Sequence, residues 1–334
     1  MSCNVYQCTR VINRKTMRYV LQDCSLQQLK QKYPGRIQKI GLGERSSSKG
    51  WEPQHHGGGV VGRSPQKLIV LWLVVAFSIV LSTYGQDICP KPCFCNKQLT
   101  SVNCEGHKLI PDNLPKTVED LYMSHNKIYY VNLTGNGILP NLREIRLDSS
   151  EISGLKQYTF DGRYVPKLAT VYLRNNRISV VENSSFSNLS SLNQVYLTNN
   201  FIQQIQPAAF NDTPHVTYIN LDSNALSAIP SCVDLQKLEQ LYVQTNKITD
   251  PKFPPEYLHF IPLTDVGLSN NAIQKLDNTT FKNLRDAKVR KLELSRNKID
   301  EISEGAFVWF KHIQSLKLGH NPLTSLDLES AFHG

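Results

Sequence analysis

The stretch Leu192-Asn-Gln-Val195-Tyr-Leu197-Thr-Asn-Asn200-Phe-Ile202 decides the fold of this chain. It follows the template L-x-x-L-x-L-x-x-N-x-L, where L is any aliphatic residue, and the template recurs nine times. Its asparagine position is occupied by Asn126, Ser150, Asn176, Asn200, Asn224, Asn246, Asn271, Asn297 and Asn321. Successive occupants are 24, 26, 24, 24, 22, 25, 26 and 24 residues apart, which is too regular to arise by chance. The chain is therefore built from stacked units that share a continuous core.

A template of this form with a period of about 20–29 residues is the signature of a leucine-rich repeat. It predicts an α/β solenoid: a horseshoe with a parallel β-sheet on its concave face and an irregular convex side. Each copy supplies a short strand, such as Val171-Tyr172-Leu173, whose alternate residues point inward. We expect about nine repeats over 116–334, the last of them incomplete.

Two columns of residues in the repeats are interpreted as structural. The asparagine side chain is expected to turn into the core and to satisfy backbone groups that would otherwise be buried and unpaired. A phenylalanine spine is expected under the convex side, formed by Phe160, Phe186, Phe210, Phe281, Phe307 and Phe332. Ser150 breaks the asparagine column, because a hydroxyl is shorter and lacks the amide donors, so 148–165 is predicted to be a local weak point.

The prolines after Asn246, in the stretch Asp250-Pro-Lys-Phe-Pro-Pro-Glu-Tyr-Leu-His, mark a second irregularity. Proline removes a backbone donor and disfavours a helix, so an extended or polyproline-like crossover is expected there.

An apolar run, LIVLWLVVAFSIVL at 68–81, precedes the repeats. Its fourteen uncharged residues suit the core of a signal peptide and fall short of the about 20 that a spanning helix needs. We assign 67–85 to a signal peptide, with a mature start at Gln86, or to an uncleaved signal anchor, because the leader is long. Residues 1–66 show no periodicity and are interpreted as a disordered leader.

Four cysteines follow in the pattern C-x3-C-x-C-x8-C, namely Cys89, Cys93, Cys95 and Cys104. They lack the two-residue knuckle of a zinc site and follow an export segment, so disulfides are favoured, with three pairings open. The segment 86–115 is interpreted as a cap over the apolar end of the solenoid. Cys232 is the odd cysteine of the exported part. It is either a small, partly buried residue or an intermolecular disulfide or reactive thiol.

The cap resembles the N-terminal cysteine cap of extracellular leucine-rich repeat proteins, a group that includes Slit-like and Toll-like proteins, small leucine-rich proteoglycans and neuronal adhesion receptors. That resemblance implies the pairs Cys89–Cys95 and Cys93–Cys104. It also implies a protein-binding module, secreted or at the cell surface, most simply the ectodomain of a receptor or adhesion protein. The alternative is a secreted matrix protein resembling the small leucine-rich proteoglycans, but the regular spacing near 24 favours the receptor.

The residues between the framework leucines face solvent on the predicted concave sheet, and tyrosine and arginine are frequent there. These residue types dominate the energetics of protein interfaces. The alternative is that aromatic residues favour strands and stack between repeats. The candidate ligand-binding residues are Tyr122, Arg146, Tyr172, Arg174, Tyr196, Tyr218 and Tyr242.

Five N-x-S/T sequons predict glycans on convex or flanking segments, at Asn132, Asn183, Asn188, Asn211 and Asn278. Asn211 is the weakest of these candidates, because Pro214 follows its sequon.

The charge of the chain does not predict a nucleic-acid partner. Residues 1–66 carry 11 Lys/Arg and 3 Asp/Glu, so the other residues carry 26 and 25, respectively. No Gly-rich phosphate loop, H-E-x-x-H or G-x-S-x-G occurs, so we expect no enzyme, no cofactor and no metal. The ninth repeat stops within LDLESAFHG at Gly334, which suggests a fragment. Membrane attachment through 68–81 or through a later segment, and oligomerisation, stay open.

Overall fold

The structure is a computed structural model that describes residues 88–231, 233–258, 261–324 and 327–333. The predictions for 1–66 and 67–85, and both interpretations of Cys232, lie outside the described residues. Among those described, no helix has the length and apolar character needed to cross a membrane.

A single sheet of eleven strands runs through this part of the chain. All neighbouring strands are parallel except the first pair, in which the cap strand Phe94–Cys95 runs antiparallel to Ser101–Asn103. The remaining strands are Asp120–Tyr122, Glu144–Arg146, Thr170–Tyr172, Gln194–Tyr196, Tyr218–Asn220, Gln240–Tyr242, Asp265–Gly267, Lys291–Glu293 and Ser315–Lys317. The predicted parallel-strand solenoid is confirmed.

Most strands of the sheet bury their middle residue. In the strand Thr170–Tyr172, Val171 is fully buried, while its two neighbours are half-buried on the opposite face. The register is in step from repeat to repeat, so Val171 lies beside Ile145 on one side and Val195 on the other. Residues that share a template position therefore form continuous columns along the sheet.

The asparagine column performs the predicted role. Asn200 Nδ2 donates to Leu173 O at 2.9 Å and to Leu197 O at 3.0 Å, and its Oδ1 accepts from Ile178 N at 3.1 Å. One side chain thus joins two repeats through three backbone groups. Ser150 has no such partners: its Oγ is buried without a hydrogen bond among the described residues.

The residue before each column position adopts a left-handed backbone, which the sequence analysis did not anticipate. The nine residues have φ between 54° and 60°, and they are His125, Ser149, Asn175, Asn199, Ser223, Thr245, Asn270, Arg296 and His320. Asparagine tolerates this conformation better than most residues, whereas a β-branched threonine is strained in it.

The phenylalanine spine is also present, in two sections. Ring centroids of Phe186 lie 5.2 Å from Phe160 and 5.0 Å from Phe210, and Phe307 lies 6.2 Å from Phe281 and 5.3 Å from Phe332. Between the sections, Phe253 and Tyr257 pack edge to face. Short parallel strand pairs line this side: Phe160–Asp161 with Phe186–Ser187, Val180–Val181 with Gln204–Ile205, and Lys275–Leu276 with Glu301–Ile302.

Helix is limited to four short pieces in the described part of the chain. They are the 3₁₀ turns Thr134–Asn136, Pro255–Leu258 and Lys282–Leu284 and the α-helix Leu328–Phe332, which Asp327 caps. The turn Pro255–Leu258 corrects the expectation of an extended crossover through all the prolines. Within the described part of this stretch, residues 250–254 have no regular structure. Pro255 starts a turn because its missing N–H is not needed at a first helical position.

The cap contains the two disulfides that the resemblance implied. Cys89 pairs with Cys95 and Cys93 with Cys104, with Cα–Cα distances of 5.8 Å and 4.4 Å. The cap is also joined to the first repeat through Asn136, whose Oδ1 accepts from Leu114 N at 2.8 Å. Disulfides of this kind belong to an oxidising compartment.

Candidate functional site

The seven candidate ligand-binding residues lie side by side on the concave face. We call them the tyrosine–arginine row: Tyr122, Arg146, Tyr172, Arg174, Tyr196, Tyr218 and Tyr242. The strands Asp120–Tyr122 to Gln240–Tyr242 carry all of them except Arg174, which follows its strand directly after Leu173. All seven side chains are half-buried, so each is supported by neighbours and still reaches solvent.

The rings stack on one another from repeat to repeat. Tyr172 and Tyr196 are parallel to within 10°, with their centroids 4.6 Å apart. Tyr218 lies 4.9 Å from Tyr196 and 5.7 Å from Tyr242, with tilted planes. Each such pair contributes roughly 0.5–1.5 kcal/mol beyond area burial, so the row is pre-organised.

Two guanidinium groups complete the row at its N-terminal end. Arg146 Cζ lies 5.4 Å from the ring centroid of Tyr122 and 4.8 Å from that of Tyr172. Arg174 Cζ lies 5.0 Å from the centroid of Tyr172 and 5.7 Å from that of Tyr196. These distances are within the range of cation–π attraction.

Carboxylates fix the orientation of both arginines. Arg146 Nε donates to Glu144 Oε1 at 2.6 Å, and Arg174 Nη2 donates to Asp148 Oδ2 at 2.8 Å. These hydrogen bonds raise the pKa of each guanidinium above its ordinary value. Both side chains nevertheless remain 40% exposed, so part of each guanidinium edge faces solvent.

Burial raises the pKa of Tyr172, Tyr196 and Tyr242 above the ordinary value of 10.0. The three hydroxyls are therefore protonated at neutral pH and can donate hydrogen bonds. Tyr196 donates to Gln194 Oε1 at 3.0 Å. Within the described residues, the Tyr172 and Tyr242 hydroxyls have no hydrogen-bond partner, so both are available to a ligand.

Asn220 is a site residue that the sequence analysis did not single out. It occupies the central column, where a tyrosine would continue the row, and Tyr218 from the adjacent column takes that place. Asn220 Nδ2 donates to Tyr218 Oη at 3.2 Å, while its Oδ1 accepts from Thr198 Oγ1 at 2.9 Å. Asn220 thus holds the ring of Tyr218 between its two neighbours. The sequence carries no signal for this, because the bond depends on a rotamer.

Gly267 lies beside Tyr242 on the next strand, where the tyrosine–arginine row ends. A β-carbon at this position would lie 2.8 Å from Tyr242 Cδ1 and 3.0 Å from Gln244 Nε2. The side chains of the preceding repeat therefore occupy the space that Gly267 leaves empty. Any larger residue must displace Tyr242.

Carboxylates are prominent on the C-terminal half of the concave face. Asp265 Oδ1 lies 3.3 Å from Lys291 Nζ, although the geometry is not that of a hydrogen bond, and Glu293 Oε1 accepts from Lys317 Nζ at 2.5 Å. Asp222 has no ion-pair partner among the described residues, and Oδ1 accepts from Gln244 N at 2.7 Å. Burial is the largest cause that raises the pKa of Asp222.

The five sequon asparagines all lie outside the concave strands. Asn132, Asn183, Asn188 and Asn278 are exposed, whereas Asn211 is half-buried. Asn132 Oδ1 accepts from Thr134 Oγ1 at 2.7 Å, and Asn211 Nδ2 donates to Asp212 Oδ2 at 3.0 Å.

Comparison with known proteins identifies the family of the chain. Residues 140–200, 190–248 and 261–330 match the profile of the family described as leucine rich repeat, which covers more than half of the chain. The chain therefore belongs to the leucine-rich repeat family.

The individual relatives belong to different kinds of leucine-rich repeat protein. The chain is 27% identical over 245 residues to leucine-rich repeats and immunoglobulin-like domains protein 1 of Homo sapiens, which is 72% of this chain and 22% of that protein. It is 26% identical over 284 residues to podocan-like protein 1 of Mus musculus, which is 80% of this chain and 45% of that protein. The chain thus spans less than half the length of these relatives.

The solved structure of the Drosophila Toll–Spätzle complex is similar in fold. It superposes with a TM-score of 0.55 at 22% identity and covers 69% of this chain and 34% of that chain. Both the sequence and the structure comparisons therefore agree on a leucine-rich repeat domain.

Proposed function

We propose that the chain binds an extracellular protein ligand on its concave face, through the tyrosine–arginine row. The observation that carries the proposal is the continuity of the row: four tyrosine rings in contact from repeat to repeat and two oriented guanidinium groups on one solvent-facing surface. Stacking alone would stabilise neighbouring repeats. It would not require exposed guanidinium edges or the unpartnered hydroxyls of Tyr172 and Tyr242.

The chemistry of the row suits a protein surface. Large aromatic rings supply contact area, and because stacking already restricts them, little side-chain entropy is lost when a ligand binds. The two guanidinium groups retain N–H donors for carbonyl or carboxylate oxygens of the ligand. The ligand is expected to lie across 122–242, with its apolar residues against the rings.

The relatives support placing this module at the cell surface. Toll, in the Toll–Spätzle complex, is a structural neighbour, and Toll-like receptor 3 of several mammals is among the matched proteins. We propose that the chain is the ligand-binding region of an exported receptor or adhesion protein. A matrix role is the second candidate, since podocan-like protein 1 aligns with 80% of the chain.

The test is a binding comparison on an array of purified extracellular proteins that includes fibrillar collagen. The full chain is expressed through the secretory pathway as wild type and as Tyr172→Ala/Tyr196→Ala. Removal of two stacked rings should weaken binding to a true ligand at least tenfold, because each ring is an interface residue of the type that costs more than about 1 kcal/mol when truncated.

The matched control is Tyr129→Ala/Tyr130→Ala. These tyrosines lie outside the concave strands and are 54% and 58% exposed. Their loss should change affinity less than twofold. If the concave variant keeps full affinity for every protein that the wild type binds, the proposal is wrong. A ligand set that consists of collagen alone would favour the matrix role.

We further propose glycans at Asn132, Asn183, Asn188 and Asn278, with Asn211 the least modified of the five. Sugars at these positions would leave the concave sheet free. Mass spectrometry after enzymatic release of the glycans, which converts each modified asparagine to aspartate, measures occupancy at each site. Equal occupancy at Asn211 and Asn188 would contradict the ranking.

A further inference from the structure

A strong local charge lies in the segment that leads into the strand Lys291–Glu293, C-terminal to the tyrosine–arginine row. The ten residues KNLRDAKVRK at 282–291 contain five basic residues and one acid, a net charge of +4. The basic side chains are all exposed. We call these five residues the basic patch: Lys282, Arg285, Lys288, Arg290 and Lys291.

Most of this charge has no ion-pair partner among the described residues. Arg285 pairs with Asp286 at 3.5 Å and Lys291 with Asp265 at 3.3 Å. Within the described part of the chain, no carboxylate oxygen lies within 4.0 Å of the charged groups of Lys282, Lys288 or Arg290. Lys282, Lys288 and Arg290 are therefore exposed and have no ion-pair partner in the described part of the chain.

Lys288 and Arg290 flank one buried residue. Lys288 and Arg290 are exposed, while Val289 between them is buried, so the two charged side chains leave the chain on the same face. Arg290 O accepts from Gln314 N at 2.8 Å, which places the next repeat directly alongside. Lys311 and His312, both exposed, precede Gln314 and extend the positive surface into that repeat.

The burial of the aromatic residues near the basic patch indicates which class of polyanion the patch suits. Proteins that hold single-stranded nucleic acid combine positive charge with exposed rings on which bases stack. Beside the basic patch, Phe281 and Phe310 are buried in the spine, and Trp309 is half-buried with its Nε1 donating to Asn278 O at 2.7 Å. Among the described residues around the patch, no fully exposed ring of phenylalanine, tyrosine or tryptophan therefore offers a stacking platform. A disulfide-bonded cap is typical of an oxidising compartment, where the abundant linear polyanions are sulfated polysaccharides.

We propose that the basic patch binds a sulfated polysaccharide chain, whose sulfate groups contact Lys282, Lys288 and Arg290 and reach Lys311 in the next repeat. This binding is separate from recognition by the tyrosine–arginine row. It would concentrate the protein at cell surfaces or in matrix that carries such chains. The interaction is electrostatic, so its affinity falls as the salt concentration rises, and more steeply with more ion contacts.

The probe is a heparin dodecasaccharide, and its binding to the full chain is measured by calorimetry between 50 and 300 mM NaCl. The variant Lys288→Glu/Arg290→Glu is expected to lose at least tenfold in affinity. Its plot of log affinity against log salt concentration should also have a shallower slope than that of the wild type, because about two ion contacts are lost. Lys288→Gln/Arg290→Gln should lose less, because it removes the attraction without adding repulsion. Circular dichroism checks that both variants are folded.

The control is Lys127→Glu/Lys247→Glu, which makes the same change in net charge at two exposed lysines of other repeats. It should bind the dodecasaccharide within twofold of wild type. An equal loss in both double variants would overturn the proposal in favour of overall charge. Tighter binding of a single-stranded or duplex DNA of equal charge would overturn it in favour of nucleic acid, and so would the absence of heparin binding at 50 mM NaCl.

Tyr172→Ala/Tyr196→Ala separates this proposal from the proposed protein-binding function. That variant should bind heparin like the wild type, because the two tyrosines lie on the concave strands of other repeats. Loss of heparin binding in it would overturn the separate site.

Discussion

Replacing Ser150 with asparagine should repair the one broken position of the asparagine column. In every complete repeat, the column Oδ1 accepts from a backbone N–H of the preceding repeat, as Asn176 Oδ1 accepts from Ile152 N at 3.2 Å. The corresponding donor for position 150 is Ile128 N. Ile128 is fully buried, and its N–H has no acceptor among the described residues. The buried Ser150 hydroxyl is likewise unpaired.

The magnitude follows from the groups involved. A buried donor without a partner costs about 1–3 kcal/mol, and an asparagine at 150 would satisfy it. Its amide would also reach Leu147 O and Met123 O, which already accept from Asn176 and Asn126, so little is added there. We therefore expect Ser150→Asn to raise the free energy of unfolding by about 1–3 kcal/mol, or Tm by about 3–10 °C.

Thermal unfolding and amide hydrogen exchange measure the effect. In the wild type, exchange over 148–165 should be faster than in the adjacent repeats. In Ser150→Asn, protection of the Ile128 amide should rise about tenfold for each 1.4 kcal/mol gained. Ser150→Ala is the control, because it removes the hydroxyl and leaves Ile128 without an acceptor. An unchanged or lower Tm in Ser150→Asn would refute the reasoning, since it would show that an asparagine side chain at position 150 does not bond to Ile128 N.

Three further changes test other features. Thr245→Asn should stabilise the chain by about 1 kcal/mol in urea unfolding, because threonine at φ 54° is strained and asparagine keeps an acceptor for Asn270; no gain would argue against strain. The folded-state pKa of Asp222 is raised above its ordinary value of 3.8, so its ionisation costs stability as pH rises through the raised pKa. Asp222→Asn should therefore be more stable than wild type at pH 7, and that difference should vanish below pH 3.8; a difference that grows on acidification would contradict this. Gly267→Ala should fold but shift the ring resonances of Tyr242, since its β-carbon would lie 2.8 Å from Cδ1; unchanged resonances would show that the ring does not use that space.

Much of the fold could be predicted because each residue type that the structure requires recurs at the same position of successive repeats. The spacing of Asn126 to Asn321 predicted the strands, the inward asparagines and the parallel sheet, and each is confirmed. The spine from Phe160 to Phe332 is confirmed except for its interruption near Phe253 and Tyr257. The disulfide pairing came from the resemblance of the cap, since four cysteines alone leave three pairings open.

The candidate site was predicted less completely. The template placed Tyr172, Tyr196 and Tyr242 in one column, because register follows from the strand period. It did not show that the ring of Tyr218, from the adjacent column, lies between the rings of Tyr196 and Tyr242. That position depends on a rotamer and on one hydrogen bond with Asn220. The basic patch was missed for another reason: the chain beyond residue 66 is nearly neutral as a whole, and an average conceals a net charge of +4 within ten residues.

The sequence by itself thus determined the architecture of this leucine-rich repeat protein, because framework leucines and asparagines act through backbone geometry that every copy repeats. The tertiary structure decided the surfaces on which function is proposed. On the tyrosine–arginine row, the rings that contact one another and the carboxylate that orients Arg174 come from different repeats, 22 to 26 residues apart, and their directions depend on packing against one another. The stacking of Tyr196 on Tyr172, the orientation of Arg174 by Asp148 and the unpaired N–H of Ile128 exist only once the repeats are stacked.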